Sequence, residues 1–152
     1  MASLRHFLTC VELVRRSNFL SKEDTRELTL DEISDLITER LASVVNAELE
    51  KLDPTLPAVL VGHVTVMGAK VGTERSMMLG RDHTLLPSAL RHPNLDYVAL
   101  GHIHKHQIIS HDPMVVYSGS MQRVDFSEET EAKGFCVVEL SLQREDGSRM
   151  VN

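Results

Sequence analysis

Three histidines fall within five positions in "GHIHKHQ", residues 101 to 107, directly behind the apolar run "DYVAL". An upstream segment ends the same way: "VLVGH" sets His63 after Gly62, as "VALGH" sets His102 after Gly101. A glycine ahead of each histidine lets the backbone turn sharply at a strand edge and leaves room for a close approach. His104 stands two residues beyond His102, and in extended backbone positions i and i+2 point to the same side. Two imidazoles side by side, with a third delivered by a neighbouring strand, make a nitrogen donor set suited to a transition metal. Any one histidine at a strand end is more often a hydrogen-bonded loop or core residue. His63, His102 and His104 taken together favour the metal. His83, His92, His106 and His111 lack the strand-end setting and read as surface or loop residues, His106 being the one nearest the pair.

The elements that must position these side chains are legible in the hydropathy pattern. "AVLVGHVTV", 58 to 66, is β-branched and nearly continuous in apolar character, which predicts a strand buried on both faces. "DYVAL", 96 to 100, predicts a second strand, and 105 to 109, 114 to 118 and 134 to 142 predict three more. Gly68, Gly72 and Gly80 mark 67 to 82 as an irregular loop, with a short helix expected around 85 to 91. Ahead of all these, residues 29 to 52 carry Leu30, Ile33, Ile37, Leu41, Val45 and Leu49 at helical spacing. Thr29 and Glu32 form a capping box at its start, and Asp53-Pro54 ends it. One long helix ahead of several strands predicts an α/β or α+β layered fold whose sheet is at least partly antiparallel. No repeat, low-complexity segment or long linker divides the chain, so residues 1–152 are expected to form a single domain.

Bulk properties fit that picture. A chain of 152 residues can bury roughly two-thirds of the surface its unfolded form exposes. Apolar residues at 42% and charged residues at 25% match soluble globular proteins and count against disorder. Cys10 and Cys136 match no paired-cysteine metal spacing, so reduced thiols are expected, with a single bridge between them left open. "FLTCVELV", 7 to 14, is short and broken by Glu12, which makes it a poor signal peptide. No run approaches the ~20 apolar residues of a membrane span. A soluble, cytoplasmic protein is the expectation. The net charge of −6 counts against a nucleic-acid partner, but the charge is unevenly spread. Residues 24 to 53 hold nine acids and three bases, whereas residues 67 to 123 hold six bases, four acids and most of the histidines. A polyanion could bind the second region.

"VGHVTVMGAKVGTER", "DYVALGHIHKHQ" and "VVYSGSMQRVDFSEETEAKGFCVVEL" together resemble the nuclease (D) subunits of SbcCD-type exonucleases, within the calcineurin-like metallophosphoesterases. The resemblance covers about residues 15 to 140, because "RRSNFLSKE" and the following helix also look like that family. It implies a two-sheet sandwich and a pair of metal ions, usually manganese, that activate water against a DNA phosphodiester in repair and recombination. It also implies an SMC-like ATPase as partner. Carried over by position, His63 and His102 would hold one ion and His104 the other. Tyr117-Ser118-Gly119-Ser120 resembles the family's loop beside the site, where Ser118, Gly119 and Ser120 would let backbone and hydroxyl groups approach a phosphate. A tight turn joining two strands is an equal alternative. Lys105, Arg75 and Arg123 are candidate phosphate contacts, although a single such charge is more often ordinary surface.

The departures are as informative. The family's D-x-H, G-D-x-x-D and G-N-H-D/E motifs supply its remaining ligands and catalytic histidine, and none occurs here: the eight glycines are followed by His, Ala, Thr, Arg, His, Ser, Phe and Ser. No catalytic residue of that set is therefore assigned. The chain looks like the second half of the catalytic domain, and three imidazoles without a carboxylate leave two metal positions under-coordinated. A homodimer, or a separately encoded first half, could cover the face the missing sheet would occupy. The leading expectation is part of a metal-dependent DNA nuclease. A non-catalytic module binding DNA or a partner ATPase is the alternative, and a mononuclear zinc or manganese protein using the three histidines is a third.

Overall fold

The computed structural model describes residues 7–11, 26–72 and 84–140. Helix α1 runs from Leu30 to Leu49 and begins as its sequence dictates. Thr29 Oγ1 accepts from Glu32 N at 3.3 Å, and Glu32 Oε2 accepts from Thr29 N at 2.8 Å. Those bonds satisfy backbone groups that a helix start otherwise leaves orphaned, and Asp31 and Glu32 complement the helix dipole. Ile33, Ile37, Leu41, Val45 and Leu49 form its buried stripe. The helix stops three residues short of the expected end. Lys51 N and Leu52 N instead bond three residues back, to Glu48 O and Leu49 O, and Asp53 Oδ1 accepts from Thr55 N at 2.8 Å in a turn that spans Pro54.

Five strands make the main sheet: β1 (Phe7–Val11), β2 (Ala58–His63), β5 (Tyr97–Gly101), β6 (Gln107–His111) and β7 (Met114–Tyr117). Their order is β1-β2-β5-β7-β6, parallel except for the β6–β7 pair. Two short strands, β3 (Thr65–Val66) and β4 (Thr84–Leu85), pair in parallel separately. The mixed α/β class matches the expectation, as does the partly antiparallel sheet. Leu41, Val45 and Leu49 of α1 join Ala58, Leu60, Val98, Leu100 and Val115 in one apolar cluster, each Val or Leu contributing about 1.5–3 kcal/mol when fully buried.

Several elements depart from expectation. The predicted strand 58–66 is broken at Val64, where the Tyr117 hydroxyl donates to Val64 O at 2.7 Å and accepts from Val66 N at 2.9 Å. The chain passes from the large sheet to the small one at this bracket. β2 is not buried on both faces: Ala58, Leu60 and Gly62 are buried while Val59 and Val61 are half-buried. The helix expected near 85 to 91 is a single 3-10 turn, Pro87–Leu90, after β4. The strand placed at 105 to 109 is shifted to 107 to 111, because the histidine loop occupies 102 to 106. Among the described residues, 134 to 139 form no strand and Leu140 makes only an isolated bridge, and positions 141 and 142 of that expected strand lie outside the described residues. β1, by contrast, was not expected, and its parallel pairing with β2 explains its apolar run. No helix among the described residues is long and apolar enough to cross a membrane.

Candidate metal centre

β2, β5 and β7 are parallel, so their carboxyl ends lie along one edge of the sheet. The register sets His63, the last residue of β2, opposite Gly101, the last of β5. The contact is close: a Cβ on Gly101 would stand 3.0 Å from His63 Nδ1. His102 follows with φ +91, a left-handed backbone that costs a non-glycine residue about 1–3 kcal/mol. Its ring meets that of His63 edge-on, with centroids 5.1 Å apart and an interplanar angle of 63°. Partial desolvation at the strand end, reinforced by the neighbouring His102, lowers the His63 pKa. Both influences favour a neutral imidazole, the form that ligates metals.

His104 is held differently. Its Nδ1 lies 2.9 Å from Glu128 Oε1. Glu128 is buried at 3% exposure, and its Oε2 pairs with Lys133 Nζ at 2.8 Å and accepts from Val124 N at 3.0 Å. The hydrogen bond from Lys133, then the Val124 N–H and the His104 contact, hold the Glu128 carboxyl at about 2 against the opposing effect of burial. Lys133 Nζ also donates to His104 O at 3.1 Å and Glu131 Oε2 at 2.9 Å. Burial acts to lower the Lys133 pKa, but its bonds to Glu128 and Glu131 outweigh it and raise the value.

The other candidates are placed around these two groups. Ser120 N donates to His104 O at 3.0 Å, with Ser120 Oγ 3.5 Å from the same carbonyl, and Ser118 Oγ lies 3.4 Å from Gly119 O. Gly119 has φ +81, and a Cβ there would lie 2.8 Å from both His104 O and His106 N. The Ser118–Ser120 segment thus supports the histidine loop through its backbone. Arg123 turns inward along its own segment, Nε donating to Glu128 O at 3.1 Å and Nη2 to Glu131 O at 3.3 Å. Lys105 is exposed beside His104, and Arg75 lies outside the described residues, as does His83. His106 is exposed and its Nδ1–H donates to Tyr117 O at 3.0 Å, so it faces β7 rather than His102. His92 Nδ1 accepts from Asn94 N at 3.2 Å, and His111 is exposed at the end of β6.

The structure therefore brings His63 and His102 together and sets His104 in a separate carboxylate-anchored position. Among the described residues no three His, Cys, Asp or Glu side chains converge as a complete metal site. His63 and His102 set two imidazole rings 5.1 Å apart between centroids, and His104 is anchored by Glu128. Sequence reasoning missed Glu128 and Lys133. "SEETEAK" looks like solvated charge, and the one local cue is Asp125, whose Oδ1 accepts from Ser127 N at 2.8 Å to start the 3-10 turn carrying Glu128.

No family model matches the chain. Among curated proteins it is similar to the D-type nuclease component of SbcCD from Staphylococcus epidermidis, with 34% identity over 83 residues. That match takes in 54% of this chain and 21% of the relative, so the chain spans only a small part of that protein's length. Over that part, the chain is similar to a nuclease component of the SbcCD type.

Proposed function

We propose that these residues form the second half of a two-metal DNA nuclease domain of the SbcCD type, acting in DNA repair. In it His63 and His102 bind one divalent ion and His104 a second, with manganese the proposed metal. The observation that carries this reading is the His63–His102 pair, set at the ends of adjacent parallel strands, with His102 held in a strained left-handed backbone. Strain of that kind persists where a side chain must be aimed. The similarity to an SbcCD nuclease component supports the same reading. A pair of ions held there would supply hydroxide near neutral pH and offset charge on the phosphoryl oxygens. The chain's own share is narrower: His63 and His102 present nitrogen donors, Gly101 leaves room for the His63 ring, Gly119 packs against the backbone of the histidine loop, and Lys105 contacts a phosphate of the duplex. Carboxylate ligands come from a segment bearing the D-x-H, G-D-x-x-D and G-N-H-D/E motifs, and an SMC-like ATPase is the proposed partner.

The test is manganese content and manganese-dependent cleavage of linear duplex DNA by the chain, alone and mixed with a polypeptide carrying those motifs. Cleavage only in the mixture is the expected result. Metal at one equivalent with no cleavage in either sample would instead support a mononuclear centre. DNA binding without metal or cleavage would support a non-catalytic module.

A further inference from the structure

Glu128 is the one fully buried charged side chain among the described residues, and the metal reading assigns it no part. Both of its oxygens are committed. Oε1 accepts from His104 Nδ1 at 2.9 Å, while Oε2 takes Lys133 Nζ at 2.8 Å and Val124 N at 3.0 Å. The segment around it is folded to hold it there. Arg123 Nε donates to the Glu128 carbonyl at 3.1 Å, and Asp125 caps the short turn that delivers it. Lys133 reaches past Glu128 to donate to His104 O at 3.1 Å. One segment, 123 to 133, therefore grips both the ring and the backbone of His104.

The chemistry of that grip is specific. An ionised carboxylate only accepts hydrogen bonds, so the proton of a neutral His104 ring must sit on Nδ1, and Nε2 is then the unprotonated nitrogen. A carboxylate in this place behind a ligating histidine sets ring orientation and raises ligand basicity. We propose that Glu128 is a positioning residue for His104: its contact with Nδ1 selects the tautomer and fixes the ring so that Nε2 is the metal-binding nitrogen, with Lys133 fixing Glu128 in turn. The purpose of this arrangement rests on His104 being a ligand, but the arrangement itself is testable without metal.

The experiment is long-range proton–nitrogen NMR of the histidine rings in the full chain, at a pH where the rings are neutral. Wild type is expected to show His104 with Nδ1–H. In Glu128→Gln the amide oxygen is claimed by two donors, Lys133 Nζ and Val124 N, which turns the amide NH2 toward Nδ1 and drives the proton to Nε2. The variant should therefore invert the tautomer of His104 while leaving the ring signals of His63 and His102 in place. A wild-type ring protonated on Nε2, or a variant that keeps Nδ1–H, overturns the proposal, and the wild-type result alone decides it if the variant does not fold. A purely structural Glu128 would lower the melting temperature without moving the tautomer. Added Mn2+ separates this proposal from the ligand reading. Broadening of the His104 ring signals, with affinity about 10- to 100-fold weaker in Glu128→Gln, supports both. Nδ1–H in wild type and the inversion in the variant, with Mn2+ broadening only His63 and His102, support Glu128 as the orienting residue and overturn His104 as a ligand.

Discussion

Gly101 lies so close to His63 that a methyl group on it would stand 3.0 Å from the imidazole Nδ1. The His63 side chain is exposed and can rotate away, so the fold should accommodate the intrusion where the site cannot. Gly101→Ala is expected to change unfolding free energy by less than about 1 kcal/mol, as surface substitutions do. Mn2+ affinity should fall about tenfold or more, because the donor pair is opened. Calorimetric titration with Mn2+ beside a denaturant melt measures both. Unchanged affinity would show that the approach of Gly101 does not aim His63.

The Tyr117 hydroxyl is a bracket between two backbone groups, and its removal tests what breaks the 58–66 strand. Val64 and Val66 are buried, so Tyr117→Phe strips a partner from Val64 O and from Val66 N where water does not readily replace it. A loss of about 1–3 kcal/mol is expected. Urea unfolding should show it as a lower midpoint with an unchanged slope, and an unchanged midpoint would mean that the β2–β3 break stands without the bracket.

Much of the frame was legible because local and tertiary signals agree there. The capping pair Thr29 and Glu32, with apolar residues every third or fourth position, specifies α1, and the glycine–histidine endings mark the sheet edge where His63 and His102 meet. The failures come where partners decide the outcome. Phe135 to Val138 has strand propensity yet forms no strand, and Phe7 to Val11 becomes one because β2 offers it an edge. Glu128 was invisible for a related reason. Nothing in "SEETEAK" distinguishes an acid that solvent will surround from one that Lys133 and His104 will enclose. Burial of a charge is a property of the closed structure, and hydropathy periodicity carries no trace of it.

The enclosed carboxylate also predicts an acid-sensitive fold. Glu128 titrates at about 2 in the folded chain against an ordinary 4.5, chiefly through its bond from Lys133. A carboxyl with a depressed folded pKa contributes stability that is complete above its unfolded value and is lost as pH falls through the folded one. The relevant window is therefore from 4.5 down to about 2. His104 and Lys133 face the group directly, and Glu131 shares Lys133, so the whole cluster responds. Glu128→Gln should be less stable than wild type above that window, and the gap should close as pH falls through it. Denaturant midpoints across the range measure this, and a gap independent of pH would detach the stability from the ionisation of Glu128.

Gly119 is the position at which the turn after β7 and the histidine loop cannot both yield. Its φ of +81 lies in the left-handed region, and the Cβ of any other residue would stand 2.8 Å from His104 O and from His106 N. Both atoms are backbone, and the first of them already accepts from Ser120 N and Lys133 Nζ. No rotamer change relieves the clash, in contrast to Gly101. Gly119→Ala should cost on the order of 2 kcal/mol or more and should displace the amide signals of residues 104 to 106. Gly134→Ala is the matched control, because a Cβ there meets nothing within 4 Å and the backbone is not left-handed. It should lie within about 0.5 kcal/mol of wild type. Equal stabilities for the two variants would show that the 118–120 turn does not hold the histidine loop, and would reopen Ser118 and Ser120 as groups turned toward a phosphate.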